Sequence, residues 1–180
     1  MIQIMKETMV IYYGSPHLKG NSAHLADVFA QEASRTYEIE KVYLGKKKIA
    51  PCLGCDHCKK TGACRQQDEM IPLAEQFSKA KSICFATSVY WWGITAQLKL
   101  FIDRLYMLSP EKFEGKKLYV IAVGSDSLDG IQYKLIQQQF QEIASYCKMD
   151  FLGYLPVSAD ESRPVEQNEE ALLQAKELGK

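Results

Sequence analysis

Short apolar runs alternate along this chain with longer stretches in which apolar residues return every three or four positions. Thr8-Met-Val-Ile-Tyr-Tyr13 is almost wholly apolar and stops at Gly14-Ser15-Pro16, as a buried strand feeding a tight loop does. Beyond the loop, Leu25, Val28, Phe29 and Ala33 keep helical spacing, with Asn21 or Ser22 available as the cap. Tyr37 to Leu44 sets Ile39, Val42 and Leu44 between charged residues, the alternation of an edge or near-edge strand. A cysteine-rich loop comes next. Asp68 then precedes Met70, Leu73, Ala74 and Phe77 in helical register, and Ser82 to Thr87 is a second apolar strand.

The remainder repeats the theme. Thr95 to Leu105 carries Leu98, Phe101, Ile102 and Leu105 on one helical face, and Lys117 to Val123 is a buried strand. Ile131 to Tyr146 is a long helix through Ile136, Phe140 and Ile143, and strand Asp150 to Val157 and helix Glu166 to Lys180 close the series. Five strands alternating with five helices predict an α/β fold: a three-layer, doubly wound parallel sheet covered on both faces, one domain over residues 1–180. Such sheets bind ligands beyond the carboxyl ends of their strands, where the strand order reverses. Attention therefore falls on the loops Gly14 to Ser22, Thr87 to Gly93 and Gly124 to Gly130. Asp160 to Asn168 is polar enough to read as a mobile connection.

Charge and length narrow the classes of function. The 22 basic residues of this 180-residue chain balance its 22 acidic ones, leaving no broad field to hold nucleic acid or anionic lipid. Met1 to Val10 includes Lys6 and Glu7, and no apolar stretch approaches the roughly 18 residues of a membrane span. A cytoplasmic protein is expected, its six cysteines free or metal-bound rather than paired as disulfides.

Each loop carries candidate chemistry. In Gly14-Ser-Pro-His-Leu-Lys-Gly-Asn-Ser22, backbone N–H groups at a helix start join the hydroxyls of Ser15 and Ser22, the Asn21 amide and Lys19 or His17, a natural seat for one phosphate. The same residues also suit turn chemistry and an N-cap. Tyr90, Trp91 and Trp92 come after a strand end, with Gly93 permitting close approach, so a planar heteroaromatic ring could lie there; core or interface packing is the competing reading. Cys52, Cys55, Cys58 and Cys64 form a C-x2-C-x2-C-x5-C run, close to ferredoxin spacing. Cys84, in a strand, and Cys147, near a helix end, read as small buried apolar residues, and His24 carries no assigned role.

Three blocks, Gly14 to Ser22, Pro51 to Met70 and Thr87 to Arg104, resemble the flavodoxin-like NADPH-dependent FMN reductases, in particular their iron-sulfur flavoprotein branch. The resemblance implies a five-stranded flavodoxin-like sheet in the order 2-1-3-4-5, noncovalent FMN, and a homodimer or homotetramer whose subunits help close the flavin site. Carried over by motif, Ser15, His17, Asn21 and Ser22 would hold the phosphate. Ser88, Val89, Tyr90, Trp91 and Gly93 would contact the ring, and Gly124 and Ser125 occupy the third loop. His17 stands where relatives often have Arg, Ser88 where Pro is common and Ser22 where Thr is common.

The implied activity is that of an NAD(P)H-dependent flavin or quinone-type reductase, in which the cofactor carries the difficult step and no catalytic side chain is named. The electron acceptor would be a small molecule or a redox protein. One alternative is an electron carrier with a [4Fe-4S] cluster on Cys52, Cys55, Cys58 and Cys64, receiving electrons from ferredoxin. The other is a zinc-stabilised interaction domain using some of these thiols with His57. A redox dithiol, or a loop whose thiols hold nothing, also fits the spacing. Lys59, Lys60 and Arg65 suit a net-negative cluster as well as they suit a solvated loop.

Overall fold

A computed structural model describes residues 6–180; the first half of the Met1–Val10 segment lies outside them. Five strands, β1 (Glu7–Tyr13), β2 (Tyr37–Tyr43), β3 (Ser82–Ser88), β4 (Lys117–Gly124) and β5 (Asp150–Ser158), form one sheet in the order β2-β1-β3-β4-β5. All neighbouring pairs are parallel, so every strand points its carboxyl end at the same edge of the molecule. This is the flavodoxin-like arrangement. The order reverses between β1 and β3, which places the loops after those strands side by side.

Strand alternation explains the three layers. In β1, Val10 and Tyr12 face one core, shared with α3 (Met70–Lys79), α4 (Ala96–Arg104) and α5 (Ile131–Cys147). Met9, Ile11 and Tyr13 face the other, packed by α1 (Asn21–Ala33) and α6 (Glu169–Leu178). Central strands buried on both sides must be apolar throughout, whereas β2, at the edge, exposes Glu38 and Lys41, which is why its sequence alternates. Tyr12 anchors the first core, its ring 4.3 Å from Phe101 and 5.6 Å from Phe85. Cys84 is fully buried in the second core and burial pushes its thiol up; Cys147 is half-buried, its thiol raised for the same reason. Among the described residues, no helix is long and apolar enough to cross a membrane.

Local chemistry sets several boundaries differently from the sequence pattern. Helix α1 is preceded by Gly20, with no side chain capping it, so neither Asn21 nor Ser22 plays that role. Thr95 does cap α4, its Oγ1 accepting the Leu98 N–H at 3.3 Å. The final helix begins at Glu169 because Asn168 Oδ1 accepts the Ala171 N–H at 3.0 Å; ahead of it, Val165–Gln167 is a separate 3-10 turn. A short helix, α2 (His57–Thr61), lies inside the cysteine loop and adds a sixth to the five that periodicity predicts.

Candidate functional site

At the carboxyl edge, backbone and hydroxyl contacts stitch the strand-end loops together. The Gly14 N–H donates to the Ala86 carbonyl at 2.7 Å, and Thr95 Oγ1 donates to the Gly14 carbonyl at 2.6 Å. A Cβ on Gly14 would lie 2.9 Å from Leu98 Cβ, so the close approach requires glycine. Ser88, at the end of β3, donates through Oγ to Ser15 Oγ at 3.1 Å, and the His17 N–H donates to the same Ser15 oxygen at 3.2 Å. The third loop joins through Val89, whose N–H donates to the Val123 carbonyl at 2.7 Å.

These contacts frame an open cleft of about 660 Å³, inside the range of about 300–1,000 Å³ common for small-ligand sites. Of the residues expected at the cofactor loops, Ser15, His17 and Asn21 border it from the first loop, Ser88, Val89 and Tyr90 from the second, Gly124 and Ser125 from the third. Ser22, Trp91 and Gly93 do not border it. Ser22, in the first turn of α1, is buried, while Trp91 is 92 % exposed and Trp92 57 %. Both tryptophans take left-handed backbone angles, φ 47° and 61°, in a two-residue turn closed by reciprocal Tyr90–Gly93 hydrogen bonds of 2.9 and 3.1 Å. Bulky residues seldom adopt that conformation; asparagine and glycine are usual there. The turn leaves both indoles exposed and outside the lining of the cleft.

The polar stretch after β5 is tied down rather than mobile. Asn21 Oδ1 accepts the Val165 N–H at 3.0 Å, Val165 is buried, and Arg163 donates from Nη2 to the Ser125 carbonyl at 3.2 Å and to Asp160 Oδ2 at 2.7 Å. Hydrogen bonds from Ser162 and Arg163 hold the Asp160 carboxyl well below the usual range. Asp160, Glu161 and Glu166 line the cleft along with His17 and Lys19, acidic groups that composition alone did not reveal. His24 also has a neighbour, Glu166 Oε1, 3.6 Å from its Nδ1.

The first turn of α1 leaves its leading N–H groups without a side-chain cap, and Gly20 and Asn21 at its start border the cleft together with Ser15 and Lys19. Such a helix start, next to hydroxyl donors and approached across small residues, suits a phosphate-bearing cofactor. A family model, NADPH-dependent FMN reductase, matches residues 8–156, spanning all three loops. The chain belongs to that family. An Iron-sulfur flavoprotein of Archaeoglobus fulgidus is 34 % identical over 148 residues, covering 81 % of this chain and 72 % of that protein. YwqN of Bacillus subtilis, provisionally named an NAD(P)H-dependent FMN-containing oxidoreductase, is 33 % identical over 161 residues, covering 84 % and 87 %. The solved structure of the Trp Repressor Binding Protein from Bacillus subtilis is similar with a TM-score of 0.71 and 27 % identity, covering 96 % of this chain and 99 % of that one. Coverage is not uniform across the family: the chain spans 42 % of a second Archaeoglobus fulgidus Iron-sulfur flavoprotein.

Between β2 and α3 the cysteine loop builds a second, smaller site. Cys52 and Cys55 are exposed, Cys58 and Cys64 half-buried, and all four border one pocket of about 20 Å³. Among the described residues, no three His, Cys, Asp or Glu side chains stand close enough together to hold a metal ion. The donor set suits a soft metal, yet the sulfurs would have to draw inward to bind one. Left-handed Gly54, Asp56 and Gly62 (φ 59°, 51° and 75°) shape the turns around α2, and the two glycines have open space around them.

Two residues to which the sequence assigns no role, Asp68 and Arg104, hold this loop. Arg104, only 1 % exposed, lies on the buried stripe of α4 with Leu98 and Phe101 and pairs with Asp68 at 2.7 and 3.0 Å. Burial pushes the Asp68 carboxyl up, but the hydrogen bonds from Arg104, Ala50 and Met70 outweigh it and leave the group below its ordinary value. A charged residue in an apolar stripe was the available signal, because a buried guanidinium requires a partner.

Proposed function

We propose that this protein is an FMN-dependent oxidoreductase that takes electrons from NAD(P)H and passes them to a small-molecule acceptor of the quinone type, in the cytoplasm. The observation that carries the reading is the cleft itself: loops from β1, β3 and β4 converge through the Ser88–Ser15 contact on an uncapped helix start.

Bound FMN would supply the acceptance and release of hydride electrons. The chain's contribution is placement. Ser15, Asn21 and the first N–H groups of α1 offer donors to a phosphate, with Lys19 and His17 beside them; the buried Ser22 would act through its backbone. Ser88, Val89 and Tyr90 present the wall against which a ring would lie, and Gly124, packed against that wall, leaves Val89 its place, since a Cβ there would meet Val89 Cβ at 3.0 Å. No acid or base is demanded of the protein, and none is assigned.

The exposed Trp91–Trp92 turn next to the cleft favours a homodimer or homotetramer, with a neighbouring subunit covering the indoles, because exposed paired aromatics are typical of interface cores. Titration of the apoprotein with FMN, with subsequent anaerobic addition of NADPH or NADH and then a quinone, tests the main reading. One FMN per chain, bleached by the nucleotide and restored by the quinone, is expected; failure to retain FMN overturns it.

A second reading is favoured by one observation: four thiols 52–64 border a single pocket together with a buried guanidinium. In this reading the loop holds a [4Fe-4S] cluster and the protein passes electrons singly to or from a redox partner. Iron and sulfide analysis of anaerobically purified protein decides it, and their absence removes it.

A further inference from the structure

Cys64 differs from the other three thiols in what lies behind it. Arg104 reaches up from α4 with every acceptor fixed: Nη1 donates to the Ala50 carbonyl at 2.8 Å and to Asp68 Oδ2 at 2.7 Å, and Nη2 donates to Asp68 Oδ1 at 3.0 Å and to Cys64 Sγ at 3.5 Å. Asp68 in turn accepts the Ala50 N–H at 2.9 Å and the Met70 N–H at 3.1 Å. One guanidinium–carboxylate pair thus closes both ends of the cysteine loop, at Ala50 before it and Cys64 behind it. Arg104 Nε is buried with no hydrogen-bond partner among the described residues, and the side chain borders the same pocket as the four thiols. Arg65 borders the pocket and is exposed, as are Lys59 and Lys60, which follow Cys58 in sequence; Asp56 is the single carboxylate in the lining.

A guanidinium is always charged, has donors only and holds them in a rigid fork. Anchoring the loop would require only the Asp68 and Ala50 contacts. The contact to sulfur adds something different, since donation to a metal-bound thiolate offsets negative charge at the centre and fixes the direction of that ligand. We propose that Arg104 is a positioning residue of the thiol pocket, which presents the Cys64 sulfur to a soft, thiolate-bound metal centre and offsets part of that centre's negative charge. The inference rests on the second reading above, that Cys52, Cys55, Cys58 and Cys64 hold a metal. It assigns to Arg104 a consequence that a purely structural ion pair would not have.

The test is an anaerobic titration of the full chain, reduced and stripped of metal, with Co(II), monitored through sulfur-to-cobalt charge-transfer absorption. The unaltered protein should take up one Co(II) with a thiolate-rich spectrum. Arg104→Gln should weaken uptake by about 10- to 100-fold, the loss usual for an outer partner of a metal ligand, and lower the charge-transfer intensity to that of Cys64→Ser. Arg104→Lys keeps the charge but cannot reach all three acceptors, and should fall between. Circular dichroism establishes that each variant is folded; should Arg104→Gln fail to fold, the double variant R104Q/D68N, which also removes the facing carboxylate, carries the same expectation. A folded variant with unaltered affinity and spectrum would overturn the role of Arg104 alone. An unaltered protein that shows no thiolate–cobalt absorption would overturn the metal reading, and this inference with it.

Discussion

The cleft and the thiol pocket are held together in opposite ways. Around the cleft, three loops are joined by several hydrogen bonds between neutral groups, among them Ser88–Ser15, Thr95–Gly14 and Val89–Val123, each worth about 0.5–1.5 kcal/mol net. The thiol loop between β2 and α3 hangs chiefly on one buried ion pair, with lesser help from Tyr106, whose hydroxyl donates to Asp56 at 3.0 Å, and from Gln66, whose Nε2 donates to the Pro51 carbonyl at 3.0 Å. A site resting on many weak contacts should degrade by steps under substitution. One resting on a single buried pair should fail at once when half the pair is removed.

The largest effect is therefore expected from Asp68→Asn. Removing the carboxylate leaves the Arg104 charge buried without its counterion, which costs about 3–5 kcal/mol and lowers the melting temperature by about 6–20 °C for a chain of this size. The double variant D68N/R104M, which removes both charges, should recover most of that loss. A single variant that melts with the unaltered protein would break the contrast between the two sites. Acid sharpens it. Because the folded Asp68 value lies below the ordinary 3.8, its contribution is complete above that pH and disappears as the pH falls through the folded value. The gap in melting temperature between Asp68→Asn and the unaltered protein should close there.

Next in size is Gly124→Val. Its Cβ would sit 2.9 Å from Tyr133 Oη and 3.0 Å from Val89 Cβ, an overpacking worth about 1–3 kcal/mol that also drives Val89 into the cleft. FMN retention should be lost while Co(II) uptake by the thiols is unchanged. Loss of both would show that the two sites are not independent.

Legibility in the sequence divides along the same line. Strand and helix periods revealed the sheet and the three loops, because burial on both faces leaves an unmistakable apolar run and the carboxyl edge comes from parallel order. Eight of the eleven residues carried over to the cofactor loops border the cleft; those that do not, Ser22, Trp91 and Gly93, depend on how one turn is wound and which way one helix face points. The cysteines were visible as a run, but their support was not, since Asp68 and Arg104 lie far apart in sequence and acquire meaning only when α4 passes beneath the loop. Asp160 to Asn168 misled for a related reason: polar composition reads as mobile until a distant Asn21 is found holding it.

Ser15→Ala probes the cleft by a smaller step. The hydroxyl accepts from Ser88 Oγ and from the His17 N–H, and its loss should raise the FMN dissociation constant about tenfold, or about 1.4 kcal/mol, with the melting temperature of the apoprotein nearly unchanged. An effect on melting as large as that of Asp68→Asn would mean that the cleft, too, depends on one contact.

The smallest expected effect has the opposite sign. Trp92 holds φ 61° and is 57 % exposed, so its strained backbone is offset by little packing within the chain. Trp92→Gly removes the strain at the cost of a more flexible unfolded chain, and a net gain of up to about 1 kcal/mol is expected, a rise of about 2–4 °C in melting temperature at low protein concentration. In the homo-oligomer proposed above the indoles would lie at the interface, so the same variant should shift the protein toward monomer in size-exclusion chromatography. A rise in melting temperature without a change in assembly would locate the benefit of the strain in ligand binding; no rise at all would mean that the turn is supported within the chain, as the cleft beside it is.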